Sequence, residues 1–320
     1  MQSRTSIKAD QSHLDAVNSG CGLIRWSGAT VVEHSGPDAL DLLNRLTTKE
    51  LLSVGIGSSR RTALTSDRGR VVDVFLVVHR GENDLLLISD SANSERLISA
   101  IDYYTIIEDA ELKDCSESNS RISLIGPTSR EVVESALEIV IESDAVTTFE
   151  LGAESIFVVS DTSRGTEWID VVCEKGSVEN ISAALISAGA VEIDQANFDH
   201  FRIDRAIPGS DREYGEHANP IEAGLLHLID WEKGCYVGQE VIARLDAYDK
   251  VQRNVKVLRS ASPITEGAKL VSGTKPAGIV TSSSALETQN GEYLSLALVR
   301  KAFFEPETEL DVEGVTVIVR

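Results

Sequence analysis

No two of the four cysteines stand close together: Cys21, Cys115, Cys173 and Cys235 are spread along the chain and form no C-x-x-C pair. Zinc sites and disulfide frameworks need paired spacings, so neither is expected, nor is a metal cluster held wholly by this chain. Bases are scarce as well, 30 lysines and arginines against 51 acids, for a formal net charge of −21. Such a surface repels phosphate backbones and anionic membranes. It argues against tight nucleic-acid binding while leaving room for one local basic pocket. Nowhere do about 18 apolar residues follow one another, and the first thirty residues lack an apolar run behind a positive segment. A soluble, cytoplasmic protein is expected.

What is present has the composition of a folded chain, 42% apolar and 25% charged. Its 320 residues exceed the roughly 250–300 that one core usually serves, so more than one domain is expected. Residues 37–52 read as a helix, because proline suits a first turn and Ala39, Leu42, Leu43 and Leu46 recur at helical spacing. Residues 60–67 and 70–79 read as a hairpin around Asp67-Arg68-Gly69, followed by a strand at 85–88 and a helix over 91–103. Residues 121–125 repeat the strand signal. Thr128 with Glu131 then forms a capping-box signature for a helix whose stripe is Val133, Ala136, Leu137, Val140 and Ile141. Strands near 155–160 and 166–173 and a helix near 177–188 give the second half a similar layout. From about 251 the pattern changes to short strands near 251–258, 268–272, 276–282, 293–300 and 315–320, the mark of a small separate barrel. The expected division is an α+β region over 1–245 and a β-barrel over 246–320.

Three stretches carry candidate chemistry. In Arg70-Val71-Val72-Asp73-Val74-Phe75-Leu76-Val77-Val78 a strand apolar on both faces is broken once, by Asp73. A buried carboxylate needs a partner or a task, and Arg70 or Arg68 is the structural partner to expect. Between Phe198 and Leu225 acids and arginines alternate with apolar residues. If 196–206 is a helix, Arg202 and Asp204 point in different directions and one of them lines a cleft; a surface ion-pair network is the alternative. In Trp231-Glu232-Lys233-Gly234-Cys235-Tyr236-Val237-Gly238-Gln239-Glu240 a thiol lies between two glycines. In an extended segment Lys233 and Cys235 share a face, and a nearby ammonium would favour the thiolate. A small buried cysteine packing as a hydrophobe is the plainer alternative.

The eight residues from Lys233 to Glu240 resemble the K-G-C-Y-x-G-Q-E signature of the YgfZ family, within the glycine-cleavage T-protein (aminomethyltransferase) superfamily, at every specified position. Ser35-Gly36-Pro37-Asp38-Ala39-Leu40 with Leu46-Thr47-Thr48, the Gly69-Arg70-Val71-Val72-Asp73 strand, and the region from Arg202 to Leu225 are similar to other elements of that superfamily. The resemblance covers roughly residues 30–320. It implies an α+β ring of two sheet-plus-helix modules with a C-terminal small β-barrel around a folate-sized hole. It implies tetrahydrofolate or a derivative as cofactor, and a role in assembly or repair of iron-sulfur enzymes, including tRNA-modifying ones. Partners would be client iron-sulfur proteins or assembly factors.

On the same resemblance Cys235 is the key residue, and Asp73 holds the place of a catalytic carboxylate. Asp204 falls where the superfamily's glutamate meets the pterin, with Arg202 and Lys233 as candidates for the folate tail. Tyr236, Gln239 and Glu240 complete the expected binding motif. One departure stands out: the superfamily's Asp-Asp pair is Asp73-Val74 here, which weighs against aminomethyl transfer. An aminomethyltransferase and an interaction protein with a vestigial folate site are the rival readings.

Overall fold

The computed structural model describes residues 7–248 and 250–320. The chain enters through α1 (Gln11–Ser19) and β1 (Gly22–Arg25), a strand whose sheet is completed only later. A first module follows: β2 (Thr30–Ser35), α2 (Ala39–Leu46), β3 (Ser59–Thr65), β4 (Val71–Gly81), β5 (Asp84–Ser89), α3 (Ser94–Asp102) and β6 (Glu111–Asp114), with sheet order β3-β4-β5-β2-β6. The second module comprises β7 (Asn119–Ile125), α4 (Ser129–Leu137), β8 (Val146–Leu151), β9 (Glu154–Ser160), β10 (Trp168–Glu174), α5 (Val178–Ser187) and β11 (Val191–Glu192); with β1 its sheet runs β11-β1-β7-β10-β9-β8. Then α6 (Gln195–Asp204) and α7 (Gln239–Ala247) bracket a long irregular segment. Strands β12 (Arg253–Ser260), β13 (Lys269–Ser272), β14 (Lys275–Glu287), β15 (Tyr293–Arg300), β16 (Glu309–Val312) and β17 (Val315–Val319) close a barrel. Among the described residues no helix is long and apolar enough to cross a membrane.

The strand β4 holds the modules together because it is apolar on both faces. Phe75 and Val77 pack under α2 and α3 with Leu42, Leu43, Leu46, Leu97 and Ile101. Leu76 and Val78 face the other way, onto Val159 and Val172 of the second sheet. The two sheets therefore lie against each other with their helices outside, the arrangement that a strand buried on both sides requires. A third core joins Val71 and Val74 of β4 to Tyr214, Leu225 and Leu228 of the irregular segment and to Val255, Leu296 and Leu298 of the barrel. The two modules and the segment line a central cavity.

Three local expectations fail for identifiable reasons, the first being the helix over 37–52, which spans only Ala39–Leu46 because Thr47 turns extended at φ −117° and ψ 163°. Thr128 makes no side-chain capping bond; its backbone, at φ −100° and ψ 8°, is not in the extended conformation that aims a cap hydroxyl inward. The turn is closed by backbone bonds instead, from Thr128 N to Gly20 O and from Ser129 N to Gly126 O. The helix stops at Leu137, where Glu138 turns left-handed at φ +55°, so Val140 lies outside it and is 77% exposed although Ile141 is buried.

Candidate functional site

The central cavity has a volume of about 300 Å3 and is lined by Val74, Tyr214, Leu225 and Leu228 on its apolar side. That is the lower end of the range for small-ligand pockets. Its polar side is Arg61, Asp90, Ser163, Arg164, Arg205 and His227. Arg61 and Arg164 belong to a buried network of three guanidinium groups and three carboxylates. Arg61 Nε meets Asp161 at 2.6 Å, Arg164 Nη2 spans both oxygens of Asp90 at 2.9 and 2.7 Å, and Arg121 Nη1 meets Asp90 at 2.7 Å. Asp170 lies 3.7 Å from Arg121 Nε. Arg121 and Arg164 also stack on Trp26 and Trp168, at 4.2 and 4.0 Å from the ring centres.

The charges cancel, and that keeps them ionised. Burial alone would raise the Asp90 carboxyl, but Arg164, Arg121 and Arg61 hold it well below the usual carboxylate range. Burial opposes ionisation of Asp161 in the same way, and Arg61 and Arg164 bring it down to about 2. Burial with the nearby cations Lys49 and Arg61 pushes His227 down, and burial with the charges of Asp90 and Asp73 pushes the Tyr214 hydroxyl up, so both are neutral at pH 7. Arg61 Nη2, like Arg121 Nε and Nη2, is buried without a hydrogen-bond partner, and of these two arginines Arg61 lines the cavity. A buried guanidinium N–H facing a cavity is stabilised by an acceptor on whatever fills it.

On β4 successive side chains alternate between faces. Val74 lines the cavity, and Asp73 does not. Asp73 is fully buried, accepts from Ser89 Oγ at 2.8 Å and from Val74 N at 2.7 Å, and keeps Oδ2 unpaired. The expected partner Arg70 reaches Glu222 instead, at 3.1 Å. Burial therefore dominates and raises the Asp73 carboxyl to about 7, against the bonds from Ser89 and Val74 and the field of Arg96. The ordinary value is 3.8. Between those two values the folded chain holds a proton that the unfolded chain has released. Stability from this group falls as pH rises from 4 to 7 and levels off above. Urea midpoints measured from pH 5 to pH 8 are expected to decline more steeply in the wild type than in Asp73→Asn, which should be the more stable protein at pH 8.

The α6 region places its charges elsewhere than the sequence suggested. Arg202 is buried, not part of a surface network, with Nε on Asp199 at 2.6 Å, Nη1 on Glu213 at 3.2 Å and Nη2 on Ser282 Oγ at 2.9 Å. All three nitrogens are engaged, Nε within α6, Nη1 with the irregular segment and Nη2 with the barrel strand β14. Asp204 is paired with Arg320 at 2.5 Å. Neither lines the central cavity; the lining resumes one residue later, with Arg205, Ala206, Ile207 and Pro208. Ala206 sits there at φ +54°, a left-handed conformation that costs a residue with a Cβ.

The Lys233 to Glu240 motif lies outside the cavity lining as well. It is clamped against the first module: Val237 N bonds Arg45 O at 3.1 Å and Thr65 Oγ1 bonds Val237 O at 2.6 Å. The Lys233 ammonium does not serve the thiol or an outside ligand. It donates to the carbonyls of Asn44, Thr47 and Lys49 at 2.7, 2.8 and 2.6 Å, the first two at the C-terminal end of α2 and the third just beyond it. Burial lowers it to about 8 despite Glu50 and Asp230. Tyr236 packs among Ile221, Ile229 and Ile242, and Gln239 and Glu240 open α7, so the segment is not extended throughout. Cys235 is exposed, whereas Cys21, Cys115 and Cys173 are buried.

The motif and the carboxylate strand were legible in the sequence, but the ionic network was not. Its signal was the one that singled out Asp73, a lone charge in an apolar strand. Asp170, between Ile169 and Val171, carries it; Arg61 does not, because it stands beside Arg60 and Thr62, and Arg121 follows the polar pair Asn119-Ser120.

Residues 3–233 match the family model described as GCVT N-terminal domain. A putative chloroplastic transferase of Arabidopsis thaliana is 25% identical over 306 residues, covering 92% of this chain and 69% of that protein. An aminomethyltransferase of Geobacillus kaustophilus is 26% identical over 322 residues, covering 97% and 87%. The crystal structure of glycine cleavage system aminomethyltransferase T from Bartonella henselae superposes with a TM-score of 0.80 at 18% identity, covering 96% of this chain and 87% of that one. The fold is therefore the T-protein fold, α+β modules with a closed C-terminal barrel.

Proposed function

Since the chain belongs to the GCVT N-terminal domain family, we propose that it binds tetrahydrofolate or a derivative in the central cavity and acts, like YgfZ proteins, as an accessory factor for assembly or repair of iron-sulfur enzymes, tRNA-modifying ones among them. The observation that carries this reading over catalysis is the cavity face of β4, where Val74 offers no ionisable group and Asp73 turns away. The polar wall suits a folate. The ionised Asp90 carboxylate can accept from the adjacent N–H groups of a pterin edge, and the unpaired Arg61 Nη2 can donate to its carbonyl. Val74, Leu225 and Leu228 would flank the ring, and Arg205 would meet the carboxylated tail. In this reading Asp90, Arg61 and Arg205 take the parts that the resemblance gave to Asp204, Arg202 and Lys233. Folate supplies a carrier for a one-carbon group. Cys235 is the residue through which the protein acts on its clients, presented at the surface by the clamped motif.

Anaerobic calorimetric titration with tetrahydrofolate tests the ligand. Micromolar binding is expected, weakened at least about tenfold (1.4 kcal/mol) by Val74→Trp, which fills the cavity. The titration should be unchanged in Cys235→Ala, because the thiol lies outside the lining. The same variant should fail to restore client iron-sulfur enzyme activity in cells lacking the protein. No binding by the wild type removes the folate, and full restoration by Cys235→Ala removes the accessory role.

An aminomethyltransferase is the second reading, favoured by the named relatives and by Asp73, whose carboxyl near 7 suits proton transfer at neutral pH. Aminomethyl transfer that is lost in Asp73→Asn with folate binding intact would favour it.

A further inference from the structure

A groove of about 860 Å3 runs over the outer face of the barrel, where β13, β14 and β15 meet the segment carrying Glu222. Its charge reverses that of the chain. Against a net −21, the lining among the described residues holds Arg253, Lys269, Arg300 and Lys301, with Glu222 as the one acid. Glu222 is committed to two arginines, its carboxylate accepting from Arg253 Nε at 3.0 Å and from Arg70 Nη1 at 3.1 Å, which leaves Lys269 and Arg300 exposed to an incoming anion. Arg253 and Arg300 stand directly opposite each other in the β12–β15 ladder. Like charges so placed destabilise an antiparallel pair; Glu222 offsets Arg253, and Arg300 is left for an anion from outside. The floor between the cations is apolar. Ile279 is 39% exposed, and the ladders set it between Lys269 of β13 and Leu298 of β15.

We propose that this groove docks an acidic segment of a partner protein, one in which carboxylates alternate with apolar side chains. Exposed apolar surface rimmed by charge marks interaction sites, and here the exposed rim residues Lys269 and Arg300 are both cationic. The row from β13 to β12 crosses three strand spacings, about 14 Å at roughly 4.8 Å each, more than one phosphate or carboxylate occupies. An extended segment rises about 3.3 Å per residue, so acids two residues apart repeat every ~6.6 Å and the apolar side chain between them falls over the Ile279 floor. The acidic remainder of the surface repels the same segment, which directs it to this place. The inference is independent of what the central cavity binds.

The probe is a fluorophore-labelled octapeptide of alternating Glu and Leu, titrated with the full chain by anisotropy. Saturable binding is expected, weakening at least about tenfold between ~20 and ~300 mM salt. It should weaken as much in Lys269→Glu/Arg300→Glu and less in Arg300→Gln alone, whereas Lys175→Glu, outside the groove, should bind as the wild type does. Lys269 and Arg300 are exposed, so thermal melts of these variants should match the wild type. Absence of binding, equal binding by the double variant, or equal binding of a Lys/Leu octapeptide overturns the proposal. Displacement of the peptide by equimolar inorganic pyrophosphate overturns it too, because it makes the groove a small-anion site.

Discussion

Asp90→Ala is expected to lower the free energy of unfolding by about 3–5 kcal/mol, the range for removing one partner from a buried ion pair. Asp90 is the acid that Arg164 and Arg121 share, at 2.7–2.9 Å for the first and 2.7 Å for the second. Without it, three guanidinium groups face two carboxylates in a site from which water is largely excluded. Arg121 suffers most, because its side chain is fully buried and its remaining acid, Asp170, stands 3.7 Å away. Urea denaturation at neutral pH measures the loss. Adding Arg121→Met should return part of it, since methionine keeps an apolar contact with Trp26 and removes the unpaired charge. A loss below about 1 kcal/mol for Asp90→Ala would mean that water reaches the network.

The second large effect separates two glycines of one motif. Gly238→Ala is expected to cost about 2–4 kcal/mol. Gly238 has φ +83°, where a Cβ costs roughly 1–2 kcal/mol. That Cβ would also lie 2.4 Å from Ser66 O and 3.0 Å from Gly69 Cα, and overpacking of this kind costs about 1–3 kcal/mol. Both obstacles are backbone, so no side-chain rotation relieves them. Gly234→Ala meets nothing within 4 Å and has no positive φ, so its effect should stay within about 0.5 kcal/mol. Chemical denaturation of the two variants gives the comparison, and limited proteolysis of residues 231–238 reports whether the motif has come away from the β3–β4 turn. Equal stability of the two variants would refute the close approach of Gly238 to that turn. The open space at Gly234, beside the exposed Cys235, is consistent with a thiol that must be reached from outside.

Local signals carried much of the architecture. The apolar run of β4 announced a strand buried on both faces, and Leu76 and Val78 do pack on the second sheet while Phe75 and Val77 pack under the helices. The change of pattern near 251 announced the barrel, whose β12 begins at Arg253. The capping box misled, because residue types satisfy that signature whether or not the backbone angles suit it. The motif around Cys235 marked a specific loop, yet its sequence could not say that Lys233 would turn inward to the end of α2 and leave the thiol alone at the surface.

By itself, then, the sequence determined the strongly periodic elements, the change of pattern at the barrel and the family resemblance, because periodicity, turn residues and short motifs are read within a few residues of one another. Only the tertiary structure decided which charges meet. Arg61 and Asp161 are 100 residues apart in the chain, and Arg164 and Asp90 are 74 apart. Whether each is a solvated surface charge or one member of a neutral buried network depends on the packing of two sheets, which no local pattern encodes. The same packing turned Val74 toward the cavity and Asp73 away from it, because one residue along a strand reverses the face.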